Sequence, residues 1–255
     1  MIDLHAHILP GLDDGPPTTE AALGMARVAT ASGTRAMATT SHVGYTYDLG
    51  PAELVPAREA LAAALADAGI ELELLAGGEI APSKLPELDD DALRALALGG
   101  GPYVLLECPF SPIGASMEMM VGDLHRRGFS VLLGHPERSP TFQRDPARLA
   151  SLIDQGALAQ VTTGSLTGGF GETPRQAAAA MLQQGLVHVL ASDAHDEVHR
   201  GPDLHAADGV LDEAQFEWMT AAVPAAIVAG RPLPERPPLP RARGVRARLR
   251  SWSAR

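Results

Sequence analysis

Short apolar runs alternate with longer segments of helical periodicity along most of this chain. Runs bounded by glycine, proline or polar residues predict strands, and apolar residues spaced three and four apart predict helices. The predicted strands cover residues 2–5, 35–41, 71–76, 103–107, 130–134, 159–163 and 187–192. The predicted helices cover residues 20–31, 52–68, 117–127, 146–154, 174–184 and 211–228. This alternation is typical of βαβ units built around a parallel sheet.

The length and composition of the chain favour one catalytic domain followed by a tail. With 255 residues, 45% of them hydrophobic, the chain can bury one sizeable core, and single α/β barrels often have this length. We therefore expect one α/β domain over residues 1–230. Residues 231–255 contain repeated prolines and eight arginines against one glutamate. Proline prevents a regular helix and like charges repel, so this segment is predicted to be a mobile tail.

The distribution of charge excludes some classes of partner. The net charge is -11, and the tail contributes +7 to it, which leaves -18 for residues 1–230. The strongly negative charge of residues 1–230 argues against nucleic acid as the main partner, because phosphate backbones are bound by clustered Lys and Arg. An anionic substrate would require local positive charge, which bound divalent cations supply.

The cellular compartment is predicted from what the sequence lacks. The single Cys108 excludes an internal disulfide. No apolar run reaches the ~18 residues of a membrane span, and the N-terminus has no signal-peptide pattern. We therefore expect a cytoplasmic protein.

Ionisable side chains recur where the predicted strands end. His5 and His7 lie two residues apart at the end of the first strand, so their imidazoles point to the same face. The same placement is repeated at later strand ends by His42, Glu79, Glu107, His135, Asp193 and His195. In a βα barrel these ends meet on one face, where active sites form. The sequence therefore predicts one site that collects these residues.

A metal explains these positions better than an ordinary polar role. Glu107 and Asp193 adjoin apolar runs, and a buried carboxylate without a partner is very costly. An ion pair would also offset this cost, but lysine is nearly absent and the neighbouring strands contain no arginine, which favours a metal. Asp14 follows the first strand in the segment GLDDGPP, where local reasoning predicts only a solvated turn residue. Other histidines stay outside the predicted site: His125, His188 and His205 are interpreted as structural, and His199 is undecided.

Counted with Asp14, the candidates are five imidazoles and four carboxylates without a thiolate. Such mixed nitrogen and oxygen donors suit Mn, Fe or Zn better than Mg or Ca. Nine ligands exceed the needs of one ion, so two or three ions are expected, with a carboxylate such as Glu79 bridging two of them. A cluster of this kind turns a bound water into hydroxide, which makes hydrolysis the expected reaction.

Two arginines lie in loops on the same predicted face. Arg138 stands three residues after His135, and Arg200 five residues after His195. A guanidinium binds phosphate oxygens bidentately, so we interpret the pair as phosphate ligands, with ordinary surface arginines as the alternative. A cysteine-dependent phosphatase is excluded because the position that its Cys-x5-Arg loop requires, counted from Cys108, is Gly114.

Six collinear segments carry a resemblance to a known family: MIDLHAHILPGLDDGP, SH at 41–42, GGEI at 77–80, LLE at 105–107, GHPER at 134–138 and LVHVLASDAH at 186–195. Over roughly residues 1–230 the chain resembles the bacterial CpsB/CapC phosphatases of the PHP superfamily. The resemblance implies a distorted (β/α)7 barrel, similar to a TIM barrel, with a trinuclear manganese centre. It also implies removal of phosphate from phosphotyrosine on a bacterial tyrosine kinase that controls capsular or exopolysaccharide synthesis.

The resemblance also implies roles for individual residues. It assigns one metal to His5, His7, Glu79 and Asp193, a second to Glu79, Glu107 and His135, and a third to Asp14, His42 and His195. This reverses the local interpretation of Asp14, and Arg138 and Arg200 would bind phosphate.

Three features depart from the family's pattern. Ser139 stands where a tyrosine is usual, and Val43 stands where the family has a basic residue or a second histidine. The basic tail is also outside the pattern. We expect the chemistry to be preserved and the substrate contacts to differ.

Two alternative functions remain open at this stage. The chain could be a small-molecule phosphomonoesterase of the same superfamily, similar to a histidinol-phosphate phosphatase, which relative turnover of a phosphotyrosyl peptide and small phosphate esters would reveal. It could also be a metal-stabilised interaction module whose arginine-rich tail binds an acidic membrane surface or a partner, which predicts stabilisation by metal without hydrolysis. The oligomeric state, the cellular metal and the cognate kinase are left open.

Overall fold

The computed structural model describes residues 1–111 and 116–239. The strands within these residues are β1 (Ile2–Ala6), β2 (Ala36–Thr39), β3 (His42–Val43), β4 (Glu73–Leu75), β5 (Glu79–Ile80), β6 (Tyr103–Glu107), β7 (Ser130–Gly134), β8 (Leu158–Thr162) and β9 (Val189–Ala191). The α-helices are α1 (Thr19–Ala31), α2 (Pro51–Asp67), α3 (Asp90–Ala95), α4 (Ser116–Arg126), α5 (Pro140–Arg144), α6 (Pro146–Asp154), α7 (Thr163–Thr167), α8 (Glu172–Gln183), α9 (Glu213–Glu217) and α10 (Val223–Val228). None of the described helices has the length and apolar character needed to cross a membrane.

Each predicted strand range contains an observed strand, but the second and third strands are interrupted. After β2 and β4 the chain resumes extended structure as the two-residue strands β3 and β5, which sequence periodicity did not predict because a pattern needs more than two residues. His42 and Glu79 lie in these short strands and are direct partners in the ladder between them. The interruption therefore sets two candidate ligands side by side.

All strand pairs within the two sheets are parallel. One sheet has the order β1-β2-β4 and the other β3-β5-β6-β7-β8-β9. Backbone bonds also connect the residues after β9 to β1: Asp193 N–H donates to His5 C=O and His7 N–H donates to Ala194 C=O, each at 2.8 Å. The structure is thus a single parallel α/β domain, as expected, and closure into a seven-stranded barrel stays a prediction.

The central strands are buried on both faces. Leu105 and Leu106 of β6 and Leu132 and Leu133 of β7 are fully buried, as near-continuous apolar strands are when helices cover both sides of a parallel sheet. Helix α1 begins at a side-chain cap: the Thr18 hydroxyl accepts from Ala21 N–H. These packed elements hold the strand ends, and with them the candidate ligands, in fixed positions.

The last predicted helix, residues 211–228, is less regular than its periodicity indicated. It begins with α9 at Glu213 and ends with α10 at Val228, and a π-helical segment, Trp218–Ala222, joins the two. Pro224 has no N–H group, so the normal bond to the preceding turn cannot form at this position, and the ladder is displaced.

The predicted tail begins with an ordered segment, which we call the C-terminal strap (residues 231–239). Trp218 donates from Nε1 to Pro234 C=O at 3.1 Å, and the Arg236 guanidinium lies 4.2 Å from the centre of the Trp218 ring. His188 lies near the same ring, and its burial and the charge of Arg236 lower its pKa to about 4, which agrees with a structural role. Gln215 Nε2 also donates to Pro238 C=O at 3.2 Å, so two proline carbonyls connect the strap to the domain, and the mobility of the tail stays a prediction. The remainder of the predicted tail, residues 240–255, lies outside the described residues, and the boundary at 230 stays a prediction.

Candidate metal centre

The nine predicted ligands lie together at the carboxyl ends of the strands. They form four overlapping groups, within each of which the ligand atoms are no more than 4.8 Å apart: His7, Asp14, His42 and His195; His5, His7 and Asp193; His5, Glu79 and His135; and His42, Glu79 and Glu107. The histidines interpreted as structural or undecided occur in none of these groups of described residues. Shared members are what a cluster of several ions needs, and the metal role of each residue stays a prediction.

The first strand contributes two fully buried imidazoles to the middle of the cluster. His5 Nε2 lies 3.3 Å from Glu79 Oε1, and His7 Nε2 lies 3.3 Å from Glu79 Oε2. Both Nε2 atoms are also 3.5 Å from Asp193 Oδ1. Burial alone would lower the pKa of His7, but hydrogen bonds to Asp13 and Glu79 and their charges outweigh burial and raise it to about 9.

Asp14 joins the cluster from the loop after β1. Its Oδ1 lies 3.3 Å from both His42 Nε2 and His195 Nε2. Hydrogen bonds from His195 and His42 hold the pKa of Asp14 well below its ordinary value. The structure thus brings together the residues that the resemblance assigned to one metal, with the Asp14 side chain half exposed, and the role of Asp14 as a ligand stays a prediction.

Two carboxylates stand close together at the opposite side of the cluster. His135 Nε2 lies 2.8 Å from Glu79 Oε1. Burial raises the pKa of Glu107 to about 7, and the negative charge of Glu79 contributes to the shift. A cation bound beside Glu107 would favour the ionised form of this carboxylate.

Buried donor atoms that make no well-aligned hydrogen bond support a metal at this place. Among the described residues these atoms include His5 Nε2, His7 Nε2, His42 Nδ1, Glu79 Oε2 and Glu107 Oε2, and most of them lie near other candidate ligands instead. Buried polar atoms are normally satisfied, and imidazole nitrogens and carboxylate oxygens are the donors that Mn, Fe and Zn accept. The residues present therefore fit a multinuclear site of these metals.

The backbone is strained at the same place. Among the described residues, the non-glycine positions with positive φ are Tyr45 (54°), His135 (35°) and Asp193 (50°). Each such residue costs about 1–3 kcal/mol, and strain of this kind persists where the surrounding structure holds a functional group in place. His135 and Asp193 are candidate ligands, and Tyr45 lines the pocket beside them.

Sequence reasoning missed two residues that orient the ligands. Asp13 accepts bonds from His7 Nδ1 at 2.8 Å and from His42 N–H at 3.0 Å, so one carboxylate links two ligands. Gln160 Oε1 accepts from His5 Nδ1 at 3.0 Å. The available signals were an acidic residue directly beside Asp14 and a glutamine within the apolar run of the sixth predicted strand.

Replacing Asp13 with Asn should weaken metal binding by about 10- to 100-fold, because an orienting partner of a metal-bound histidine fixes its ring and raises its basicity. Chelator competition monitored at equilibrium would measure this effect. Asp67→Asn, on an exposed position of α2, is the matched control. Equal metal affinity of Asp13→Asn and the control, at unchanged melting temperature of the metal-free protein, would contradict the orienting role.

The two arginines border the cluster as predicted, and they do so by pairing with a candidate ligand. Arg138 Nη1 donates to Asp193 Oδ2 at 2.6 Å, and Arg200 Nη2 donates to the same oxygen at 2.8 Å. The ion-pair alternative considered for Asp193 is thus realised by arginines from loops, which strand positions alone did not reveal. The other oxygen, Oδ1, still faces His5 and His7, so a single carboxylate connects the arginines with the ligand cluster.

An open pocket of about 500 Å³ leads to the centre. Its lining includes His42 and Glu107 together with Tyr45, Thr46, Tyr47, Pro109, Phe110 and Ser111. The residues that depart from the family pattern do not line it: Val43 is fully buried, and the buried Ser139 donates from Oγ to Pro109 C=O at 2.9 Å. Ser139 therefore acts on the pocket through the loop that it holds.

The chain is similar to known bacterial proteins. The family model described as capsular polysaccharide synthesis, CpsB/CapC, matches residues 1–222. The chain is 34% identical to the tyrosine-protein phosphatase YwqE of Bacillus subtilis over 214 residues, 84% of each protein. It is 28% identical to the putative tyrosine-protein phosphatase CapC of Staphylococcus aureus, over 78% of this chain and 79% of that one.

A solved structure resembles the fold as a whole. It comes from work on YwqE from Bacillus subtilis and CpsB from Streptococcus pneumoniae, described as unique metal-dependent tyrosine phosphatases. The TM-score is 0.83 at 30% sequence identity, and the match covers 94% of this chain and 99% of that one.

Proposed function

Because the chain belongs to the CpsB/CapC family of capsular polysaccharide synthesis, we propose that it is a metal-dependent phosphatase that removes phosphate from phosphotyrosine in proteins. The observation that carries this proposal is the set of overlapping ligand groups bordered by Arg138 and Arg200. The names of the relatives support the same activity.

The centre is assigned three Mn²⁺ ions, with Fe or Zn as metals that the same donors accept. His5, His7, Glu79 and Asp193 would hold the first ion, Glu79, Glu107 and His135 the second, and Asp14, His42 and His195 the third. When bound, such ions activate water and neutralise charge on a phosphate. The ligand groups seen in the structure support this assignment through the position of Glu79, which belongs to two of them.

The arginines would bind and orient the phosphate group. Asp193 Oδ2 fixes both guanidinium groups from one side, and Arg200 Nε is a buried donor without a hydrogen bond among the described residues. Two cations at this place offer an anionic substrate a local attraction that the acidic body does not. The leaving tyrosyl oxygen has an ordinary pKa of about 10, so it departs more readily than an alkyl alcohol.

Three further parts of the proposal have indirect support. The backbone bonds between β1 and the residues after β9 support one distorted (β/α)7 barrel. The family's description supports a role in capsule or exopolysaccharide synthesis. A bacterial tyrosine kinase as the phosphotyrosyl protein rests on the resemblance to the family. The composition of the chain supports action in the cytoplasm.

A phosphate-release assay with metal removal tests the function. We expect the protein to hydrolyse a phosphotyrosyl peptide with added Mn²⁺, to lose activity in EDTA and to regain it with Mn²⁺. His135→Ala should be inactive, whereas His125→Ala in α4 should keep full activity. Elemental analysis of the purified protein reports the metal and its count. EDTA-resistant activity that is undiminished in His135→Ala would overturn the proposal.

The same assay separates the alternatives. Faster turnover of histidinol phosphate than of the peptide would indicate a small-molecule phosphomonoesterase. A rise in melting temperature with Mn²⁺, without hydrolysis of any phosphate ester, would indicate an interaction module.

A further inference from the structure

Aromatic side chains form two walls of the pocket that leads to the metal centre. We define the aromatic slot as Tyr45 and Tyr47 on one wall and Phe110 on the other. We propose that this slot binds the phenyl ring of the substrate and makes the enzyme select aryl over alkyl phosphates. The proposal rests on the proposed phosphatase function and deepens it, because it assigns the residues that recognise the substrate.

The rings of the slot are unusually exposed for their size. Tyr45 is 54% exposed and Phe110 is 50% exposed, and both face the same pocket. Single exposed apolar side chains are common on protein surfaces, but apolar surface gathered in a concave site beside polar ligands is typical of a ligand pocket. A phenyl ring would remove these surfaces from water.

One wall is held rigidly by a tight turn. Gly44 and Tyr47 exchange two backbone hydrogen bonds, each of 3.0 Å. Gly44 has φ of 119°, and a Cβ there would lie 2.8 Å from the side chains of Ala81 and Lys84, so the turn requires glycine. Tyr45 follows with φ of 54°, a strain that it shares with the ligands His135 and Asp193. The turn therefore holds Tyr45 in the pocket in a backbone conformation that is unfavourable for a residue other than glycine.

The same wall is connected to the metal ligands. The ring of Tyr47 stacks on His42, with centroids 5.5 Å apart and planes 6° apart. Burial, the charge of Glu107 and a hydrogen bond to it raise the pKa of Tyr45. A substrate ring that packs against these tyrosines would therefore lie close to the candidate ligands His42 and Glu107.

The other wall joins the ring site to the phosphate site. Phe110 stacks on His135 with centroids 5.5 Å apart and planes 11° apart. The Arg138 guanidinium lies 4.8 Å from the centre of the same ring. A substrate ring against Phe110 therefore has its phosphate within reach of the ligand cluster and of Arg138. An alkyl phosphate, such as phosphoserine, would reach the same cluster without filling the slot.

Kinetics on matched peptides test the slot. The substrates are a phosphotyrosyl peptide and the same sequence with phosphoserine, both assayed with Mn²⁺. We expect Tyr45→Ala and Phe110→Ala each to raise KM for the phosphotyrosyl peptide about tenfold with little change in kcat, since stacked aromatic pairs and their buried area contribute on this scale. Turnover of the phosphoseryl peptide should stay unchanged.

Conservative and distant variants complete the design. Tyr45→Phe and Phe110→Tyr keep the rings and should keep the wild-type KM, and Met119→Ala, an exposed apolar position of α4, should have no effect. Equal loss in Tyr45→Phe and Tyr45→Ala would overturn the proposal for Tyr45, because the hydroxyl rather than the ring would be required. Equal loss on both peptides, or no loss on either, would overturn the slot as a whole while the phosphatase function stands. Failure of the wild-type protein to hydrolyse the phosphotyrosyl peptide would overturn both proposals.

Discussion

Replacing Glu79 with Gln should lower kcat/KM for a phosphotyrosyl peptide by about 10³-fold or more. Each oxygen of this buried carboxylate meets two imidazoles: Oε1 lies 3.3 Å from His5 and 2.8 Å from His135. Oε2 lies 3.3 Å from His7 and 3.0 Å from His42. Gln removes the charge and one donor oxygen from the residue shared by two ligand groups. Loss of ~4 kcal/mol of transition-state stabilisation corresponds to this factor.

Metal content and folding must be measured together with this rate. Elemental analysis should show fewer bound ions in Glu79→Gln than in the wild type. The circular dichroism spectra of the two metal-free proteins should be the same, which would show that the substitution does not change the fold. Glu73→Gln, the same substitution on an exposed position of β4, should change neither quantity. A Glu79→Gln protein that retains its full metal content and its rate would exclude Glu79 from the centre.

Replacing Arg138 with Lys should lower kcat/KM for the same peptide by about 10²- to 10³-fold, the range found when one donor to a developing anion is removed. The guanidinium lies 4.1 Å from the Phe170 ring and is bonded to Asp193, so its orientation is fixed before substrate arrives. Lysine keeps the charge but lacks the planar fork that binds a carboxylate and a phosphate at once.

Arg138→Lys should lower the rate without changing the metal content of the protein, whereas Glu79→Gln should lower both. Arg144→Lys, at the exposed end of α5, is the matched control and should have wild-type kinetics. Wild-type kcat and KM in Arg138→Lys would show that the guanidinium does not contact the phosphate.

The clustering of candidate ligands that directly follow an apolar strand was predictable from the sequence. His135 and Glu107 lie at the ends of the buried strands β7 and β6, where strand period and parallel pairing determine which edge a residue occupies. The carboxyl ends of parallel strands lie at the same edge of the sheet, so these residues could be placed together without knowing the conformation of the loops. The helices between the strands were predictable from the three- and four-residue spacing of their apolar positions.

Ligands and partners in loops were not predictable in this way, because a loop has no period. Asp13 and Asp14 are positioned by a turn in which Gly15 comes so close to His7 that a Cβ on the glycine would clash with the His7 carbonyl. The pairing of Asp193 with both arginines likewise depends on how the loop after β7 and the loop after β9 come together. The resemblance to a family identified Asp14 as a candidate ligand, whereas the contacts of Asp13 with His7 and His42 were found only in the structure.

The C-terminal strap ends, within the described residues, far from the candidate ligands. Leu239 packs against Gly185 in the turn before β9, whereas Asp193 and His195 follow that strand at its other end. Position 239 and the candidate metal centre therefore lie at opposite ends of β9. A bulky label attached to the side chain at position 239 would leave the face with the candidate ligands accessible to a substrate as large as another folded protein.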